Sequence, residues 1–386
     1  MSGPPRPLSI LQILEKGSFH TGSVVQMHQL ARGLAARGHR VAVVTRDGGE
    51  LAERSRRDGL DVVTLPLVHS FDLASARRLA KVFAERRVDV VHAHKGIAHA
   101  AALAATFLGR VRPVLVVNRG VSFPLGAWNR WKFRVRLDAV VTVCEDIRRV
   151  VVRSAGIPAE KVRVVYAGVD PARFDPARAD GARVRREWNV PESARLVVQV
   201  SAREYKGWRD LLAGAALVAP EHPELFVALV ACPDAATAAA VAAEAKRLGI
   251  AGRVLALGYR DDMPDVLAAA DVVADLSWGG LGITGTLREA MALERPVVAS
   301  SAGGNPELVE DGSSGLLVPP RDPAALAAAL RRLLEEPGLA ARLARAGRQR
   351  VLAGFTVAKR LDAIEALYRE LVAARAVTGG RATGGA

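Results

Sequence analysis

The sequence predicts two doubly wound parallel α/β domains in tandem, and three observations carry that prediction. Short Val-rich runs, apolar on both faces, recur along the chain, as strands covered by helices on both sides require. Segments with apolar residues at helical spacing alternate with them. The series breaks in a stretch rich in Pro, Asp and Arg at 168–193 and then restarts, and 386 residues are long for a single core.

In the first series, strands are expected at 9–14, 41–45, 61–65, 90–94, 114–117, 139–144 and 162–166. A helix is expected over 23–37, with Gly38 as its stop. The stretch 168–193 reads as an interdomain linker. Strands of the second series are expected at 196–201, 226–230, 254–257, 272–275, 296–299 and 315–318. An amphipathic helix over 358–375 is expected to pack back on the first domain, and 376–386, ending TGGRATGGA, to be a disordered tail. The expected domains are therefore 1–180 and 190–357, with no short-period repeat.

Half of the residues are hydrophobic, enough for two cores. Cys144 and Cys232 sit in apolar strand-like runs and read as buried reduced thiols, not a disulfide framework. The start MSGPPRPLSI has no signal-peptide pattern, and the longest apolar run, 97–109, is too short to span a bilayer. These features predict a soluble cytoplasmic protein. The net charge of +14 is uneven: residues 1–185 hold 31 Lys and Arg against 16 Asp and Glu, the remainder 23 against 24. A basic first half suits an anionic partner, whether a membrane surface, a phosphorylated acceptor or nucleic acid; an Arg-rich genome explains it equally.

In doubly wound sheets, ligands bind beyond the carboxyl ends of the strands. The segment 277–306, SWGGLGITGTLREAMALERPVVASSAGGNP, joins a Gly-rich loop, a Thr284-Gly285-Thr286 turn, a helix carrying Glu289, a strand and a second Gly loop. A helix N-terminus suits a diphosphate, and Glu289 could accept hydrogen bonds from sugar or ribose hydroxyls. Thr286 and Glu289 are also spaced as a capping box, which would account for both without a ligand. After the strand at 196–201, Arg203 and Lys206, followed by Gly207, could both reach a pyrophosphate. After the first strand, Thr21, Gly22 and Ser23 open a helix where backbone could approach a ligand. Strand alternation puts His92 and His94 on one face, with His94 better placed to meet substrate and His92 open to a structural role. No carboxylate or cysteine companion lies nearby in sequence, so no metal site is expected. The run 125–136 interleaves Trp128, Trp131 and Phe133 with four cations; a membrane-interface helix and a core-packed helix both fit it. No recognised binding motif accompanies the cations, so nucleic acid is not expected as a partner.

Taken in order, these pieces resemble the retaining glycosyltransferases of GT-B fold, family 4. The resemblance runs over nearly the whole chain: His92 and His94, VRVVYAGVDPARF, Arg203 with Lys206-Gly207, Gly258-Tyr259 before MPDVLAAADV, Glu289-Ala290-Met291-Ala292 and GGNPELVEDGSSGLLVPPRDP. It implies two Rossmann-like domains facing a central cleft, the first on the acceptor side and the second binding a nucleotide-sugar donor such as a UDP- or GDP-sugar. Arg203 and Lys206 would bind the donor diphosphate, Glu289 the ribose, and Gly258-Tyr259 would flank the base. Gly22, Gly207, Thr284, Gly285 and Thr286 would complete the donor site, and Thr21, His92, His94 and Arg119 would line the acceptor side. His94, Arg203, Lys206 and Glu289 would carry catalysis, without metal or cofactor, by front-face transfer with retained configuration. A glycan or lipid-linked acceptor of cell-envelope polysaccharide or lipopolysaccharide synthesis is the expected partner, at the inner face of the membrane.

The chain departs from the family pattern at one carboxylate. The family pairs two glutamates eight positions apart, yet Leu281 stands eight before Glu289, and aligning the glycine loop instead puts Gly279 there. Asp275 and the backbone of 283–285 are the candidates to replace it; Ala167 likewise replaces a linker asparagine. A GT-B protein that binds nucleotide sugar without transferring it, and a nucleotide-sugar epimerase, are the alternative readings.

Overall fold

The computed structural model describes residues 6–19, 21–279 and 282–382, with side chains as far as Val377. The chain divides into two compact units: one runs to Tyr166 and resumes with the last helix from Val357, the other is Ala167–Thr356.

In the first unit seven strands, β1 (Ser9–Ile13), β2 (Arg40–Thr45), β3 (Asp61–Thr64), β4 (Val90–Ala93), β5 (Val114–Arg119), β6 (Ala139–Thr142) and β7 (Val162–Val164), form one sheet. Its order is β3-β2-β1-β4-β5-β6-β7, and every pair is parallel. The second unit holds β8 (Arg195–Val200), β9 (Leu225–Val230), β10 (Val254–Ala256), β11 (Val272–Asp275), β12 (Val297–Ser300) and β13 (Leu316–Val318). They pair in the order β10-β9-β8-β11-β12-β13, again all parallel. All thirteen strands fall on the expected apolar runs, and the two doubly wound sheets of the sequence reading are both present.

Every residue of β1, SILQI, is buried, because helices cover both faces of its sheet. Helix Gly22–Ala36 supplies Val24, Met27, Leu30 and Leu34 to that core, and helix Val357–Ala382 supplies Leu361, Ile364, Leu367 and Tyr368. Burial of a side chain such as Ile364 contributes about 2–3 kcal/mol. The two helices meet closely at Gly33, where an added Cβ would lie 2.4 Å from Leu361 Cδ1.

Three expectations need correction. The stretch 168–193 is no linker: it lies inside the second unit and includes helix Gly181–Glu187. Its arginines are paired within that unit: Arg183 reaches Asp262 at 2.5 Å and Asp265 at 2.8 Å, and Arg185 pairs with Asp271. The boundary accordingly falls at 166/167 instead of between 180 and 190. Finally, the last helix runs on through 376–382, residues expected to be disordered. Arg375 holds it down there, donating to the carbonyl of Arg112 and to the Asp138 carboxylate; residues 383–386 lie outside the described residues. Among the described residues no helix is long and apolar enough to cross a membrane.

Candidate functional site

In the second unit the strand order reverses between β8 and β11, the place where doubly wound sheets open a binding crevice. Beyond β8 the chain makes a 3-10 turn over Glu204–Lys206 and enters helix Trp208–Val218 through Gly207. Gly207 has φ +69°, and a Cβ on it would lie 2.4 Å from the carbonyl oxygen of Leu276, so no other residue fits. That close approach carries Lys206 to the end of β11, where its Nζ lies 3.2 Å from Asp275 Oδ2. Asp275 is only 1% exposed. The backbone N–H of Ser277 donates to its Oδ1 at 3.2 Å, and the Ser277 hydroxyl donates to the same oxygen. Gln199 on β8 steadies the turn by donating to the Lys206 carbonyl at 3.2 Å.

Arg203 is exposed and points its guanidinium at two phenols, Tyr205 (3.5 Å) and Tyr259, which favour its charged form. Tyr259 stands 47% exposed beyond β10. The turn after β8 thus presents one exposed guanidinium beside two phenols and one ammonium held by a buried carboxylate.

Helix Gly285–Ala292 starts one turn before Glu289, with Thr284, not Thr286, as N-cap, and no side chain caps it. The capping-box reading of Thr286 and Glu289 is therefore corrected: Thr286 sits inside the first turn, and the Thr284 hydroxyl is buried without a partner. Glu289 Oε1 lies 3.6 Å from where a Cβ on Gly285 would stand. Burial raises the Glu289 pKa, opposed by the nearby Arg288 and Arg173. Arg288 is buried, donates to the Ile283 carbonyl at 3.1 Å, and is pushed down to about 10 by desolvation. Of the two positions where the family's first glutamate would stand, Gly279 is described and Leu281, with its neighbour Gly280, lies outside the described residues.

The first unit reverses its strand order between β1 and β4, with Gln12 in register beside His92. His94 continues the ladder, its N–H donating to the Ile13 carbonyl. The rings of His92 and His94 stack with centroids 4.3 Å apart, and both are buried. His94 Nε2 lies 2.6 Å from Gln12 Oε1, Gln12 Nε2 lies 3.1 Å from the Tyr368 hydroxyl, and that hydroxyl lies 2.6 Å from His92 Nδ1. Oε1 can only accept, so this network assigns the proton of His94 to Nε2 and leaves its Nδ1 a lone pair. The Tyr368 hydroxyl accepts a hydrogen bond from Gln12 Nε2 and donates one to His92 Nδ1. Burial pushes His92 down to about 3; it also drives His94 well below 6.5, helped by His92 and Arg360. Both imidazoles are neutral. Gln12 and Tyr368 escaped the sequence reading, although a lone glutamine in an apolar strand was a signal for the first.

The remaining acceptor-side candidates take separate places. Thr21 is the N-cap of helix Gly22–Ala36 without a side-chain cap bond, and among the described residues no atom beyond Gly22's own chain neighbours and helical turn stands within 4 Å of where its Cβ would be. His20, next in sequence before Thr21, lies outside the described residues. Arg119 ends β5, next to β4, donates to the Phe123 carbonyl at 2.6 Å, and has its pKa lowered by burial. Among the described residues no three His, Cys, Asp or Glu side chains gather as a metal set.

Two parallel sheets, each reversing its strand order beside its first strand, define a two-domain doubly wound α/β protein. The family model "Glycosyltransferase Family 4" matches residues 20–173, and "Glycosyl transferases group 1" matches 194–336. N-acetyl-alpha-D-glucosaminyl L-malate synthase of Bacillus anthracis is 26% identical over 369 residues, 91% of this chain and 94% of that protein. D-inositol 3-phosphate glycosyltransferase of Salinispora tropica is 36% identical over 228 residues, 55% of this chain and 47% of that one. The crystal structure of a Rickettsia africae glycosyltransferase superposes with a TM-score of 0.87 at 19% identity, over 95% of this chain and 99% of that one. Anabaena HepE in complex with UDP gives 0.82 at 22%, over 94% and 100%. The chain belongs to the family 4 glycosyltransferases of GT-B fold.

Proposed function

We propose that this glycosyltransferase uses a nucleoside diphosphate sugar, with uridine as the first base to try, and transfers its sugar to a glycan or lipid-linked acceptor of the cell envelope with retention of configuration. The observation that carries this reading is the turn after β8, where Gly207 brings Lys206 against Asp275 and leaves Arg203 facing solvent. A diphosphate needs cations already in place, and a buried carboxylate fixes the ammonium before the ligand arrives. That HepE has been crystallised with UDP and with UDP-glucose supports the choice of base. Lys206 and Arg203 would hold the diphosphate, Glu289 the ribose and Tyr259 the base. The acceptor hydroxyl oxygen would bond to the anomeric carbon as the bond to the diphosphate breaks. The electron pair stays on the departing phosphate, which takes the hydroxyl proton. No metal enters this scheme, and the neutral Nδ1 of His94 is offered as a hydrogen-bond acceptor to the sugar or acceptor hydroxyls.

The absence of a carboxylate at Gly279 or Leu281 favours a second reading, a protein that binds nucleotide sugar without transferring it. Calorimetric titration with UDP, GDP and ADP, repeated on Arg203→Ala, tests the donor site. One nucleotide should bind, with affinity lost in the variant; silence from all three overturns the donor reading. Turnover of the bound nucleotide sugar, with the anomer of the product read by NMR, then separates transfer with retention from binding alone.

A further inference from the structure

Eight of the twelve exposed large hydrophobic side chains among the described residues lie between Val68 and Trp131 in the first unit. Six of them, Phe71, Leu73, Phe107, Leu108, Trp128 and Trp131, line one open groove of about 370 Å³. Its floor is helix Gly96–Leu108, GIAHAAALAATFL, which has no charged residue anywhere on its circumference. A helix apolar all round is one that something covers. Helix Ala127–Arg134 supplies one wall, where Trp128 and Trp131 stack at 5.1 Å and Phe71, 70% exposed, leans on Trp128 at 5.0 Å. The rings are organised against each other while their outer faces stay in water.

The charge beside this groove is mainly basic: Asp72 is the one acid among its lining residues, and it is engaged by the Val68 N–H and the Ser75 hydroxyl. Between Asp89 and Asp138 the chain has eight Lys and Arg and no acidic residue. Arg119, Lys132, Arg134 and Arg136 turn to backbone carbonyls, those of Phe123, Gly96, Ala155 and Thr106. Arg110, Arg112 and Arg130 are exposed. Arg136 also covers the Phe107 ring at 3.8 Å.

We propose that this groove and its basic rim dock on the surface of an anionic phospholipid bilayer. Phe71, Trp128 and Trp131 enter the boundary between headgroups and acyl chains, and the exposed arginines meet lipid phosphates. Trp rings favour that depth, since they are apolar in body and carry one N–H that can stay wet. A second copy of this chain is the poorer occupant, because it would bring two acid-free basic stretches face to face. An anionic bilayer offers hydrocarbon and negative charge on one surface. The proposal goes beyond the donor reading and stands whichever sugar is transferred.

The test is co-sedimentation of the full chain with phosphatidylcholine vesicles, with and without phosphatidylglycerol, alongside tryptophan emission. Binding is expected to the anionic vesicles at low salt, with a blue shift, and to weaken as salt rises. Trp128→Ser with Trp131→Ser should lower vesicle affinity about tenfold or more. Arg110→Gln, Arg112→Gln and Arg130→Gln together should remove the preference for phosphatidylglycerol. All five positions are surface residues, and hydrogen-exchange protection of the first unit's strands, measured in parallel, reports that the variants are folded. Failure to sediment with either vesicle, or unchanged binding by the tryptophan variant, overturns the proposal. So does a dimer in analytical ultracentrifugation that the tryptophan variant dissolves, which would assign the groove to a second copy.

Discussion

The two units place the same strand order around the same kind of crevice, yet they bury polar groups there by opposite means. Each has a buried glutamine one residue before the end of its first strand, Gln12 in β1 and Gln199 in β8. In the second unit that glutamine supports a turn whose lysine is neutralised by Asp275. In the first it holds His94, which avoids the cost of a buried charge by giving up its proton. Topology opens both crevices. The residues at the strand ends decide whether a crevice presents charge or neutral hydrogen-bonding groups.

Breaking the charged crevice should have the largest effect. Lys206→Ala is expected to lower turnover about 10²–10³-fold. It also leaves Asp275 buried and unpaired, at a cost of about 3–5 kcal/mol to the second unit in urea unfolding. Adding Asp275→Asn should recover much of the stability and none of the turnover; unimpaired turnover in Lys206→Ala would remove Lys206 from the phosphate site.

Acid should separate the units next. His92, His94 and His99 all have their pKa values pushed below 6.5 by burial, His92 and His99 to about 3. Below pH 6.5 the unfolded chain binds protons that the folded first unit refuses. Their contribution is therefore complete above pH 6.5 and falls as pH drops, by up to about 1.4 kcal/mol per pH unit for each histidine. The one histidine of the second unit, His222, behaves in the reverse sense, raised by Glu335 and Glu224. Hydrogen exchange between pH 6.5 and the carboxylate range should show the first unit opening while the second holds. Opening of the second unit first would break the comparison.

The smallest effect sharpens it. Tyr368→Phe strips a partner from Gln12 and from His92 and should cost the first unit about 1–3 kcal/mol, leaving the second unchanged in the same exchange measurement. Equal losses in both units would mean that the network is not local to the first.

The strands were legible because a parallel strand covered on both faces must be an apolar run, and such runs need no partner to be recognised. The phosphate-site candidates were legible because Arg203, Lys206 and Gly207 follow a strand directly. What stayed hidden was pairing across long separations. Tyr368 lies 276 residues from His92 and 356 from Gln12, and Asp275 lies 69 from Lys206. The stretch around Arg183 and Arg185 read as a linker because the acids that pair with them come 79 to 86 residues later. The capping box misled by a shift of two residues: the turn places Thr284 where the spacing had placed Thr286.

The return of the last helix to the first unit sets an order of events during synthesis. The second unit is an insertion, and its own chain is finished once Thr356 has left the ribosome. The first unit, begun earlier, waits for Leu361, Ile364, Leu367 and Tyr368 before its core can close. Until then Gln12 and His92 lack the hydroxyl that joins them. A chain truncated after Thr356 and released from the ribosome should therefore carry a protease-resistant second unit beside a first unit still open to cleavage.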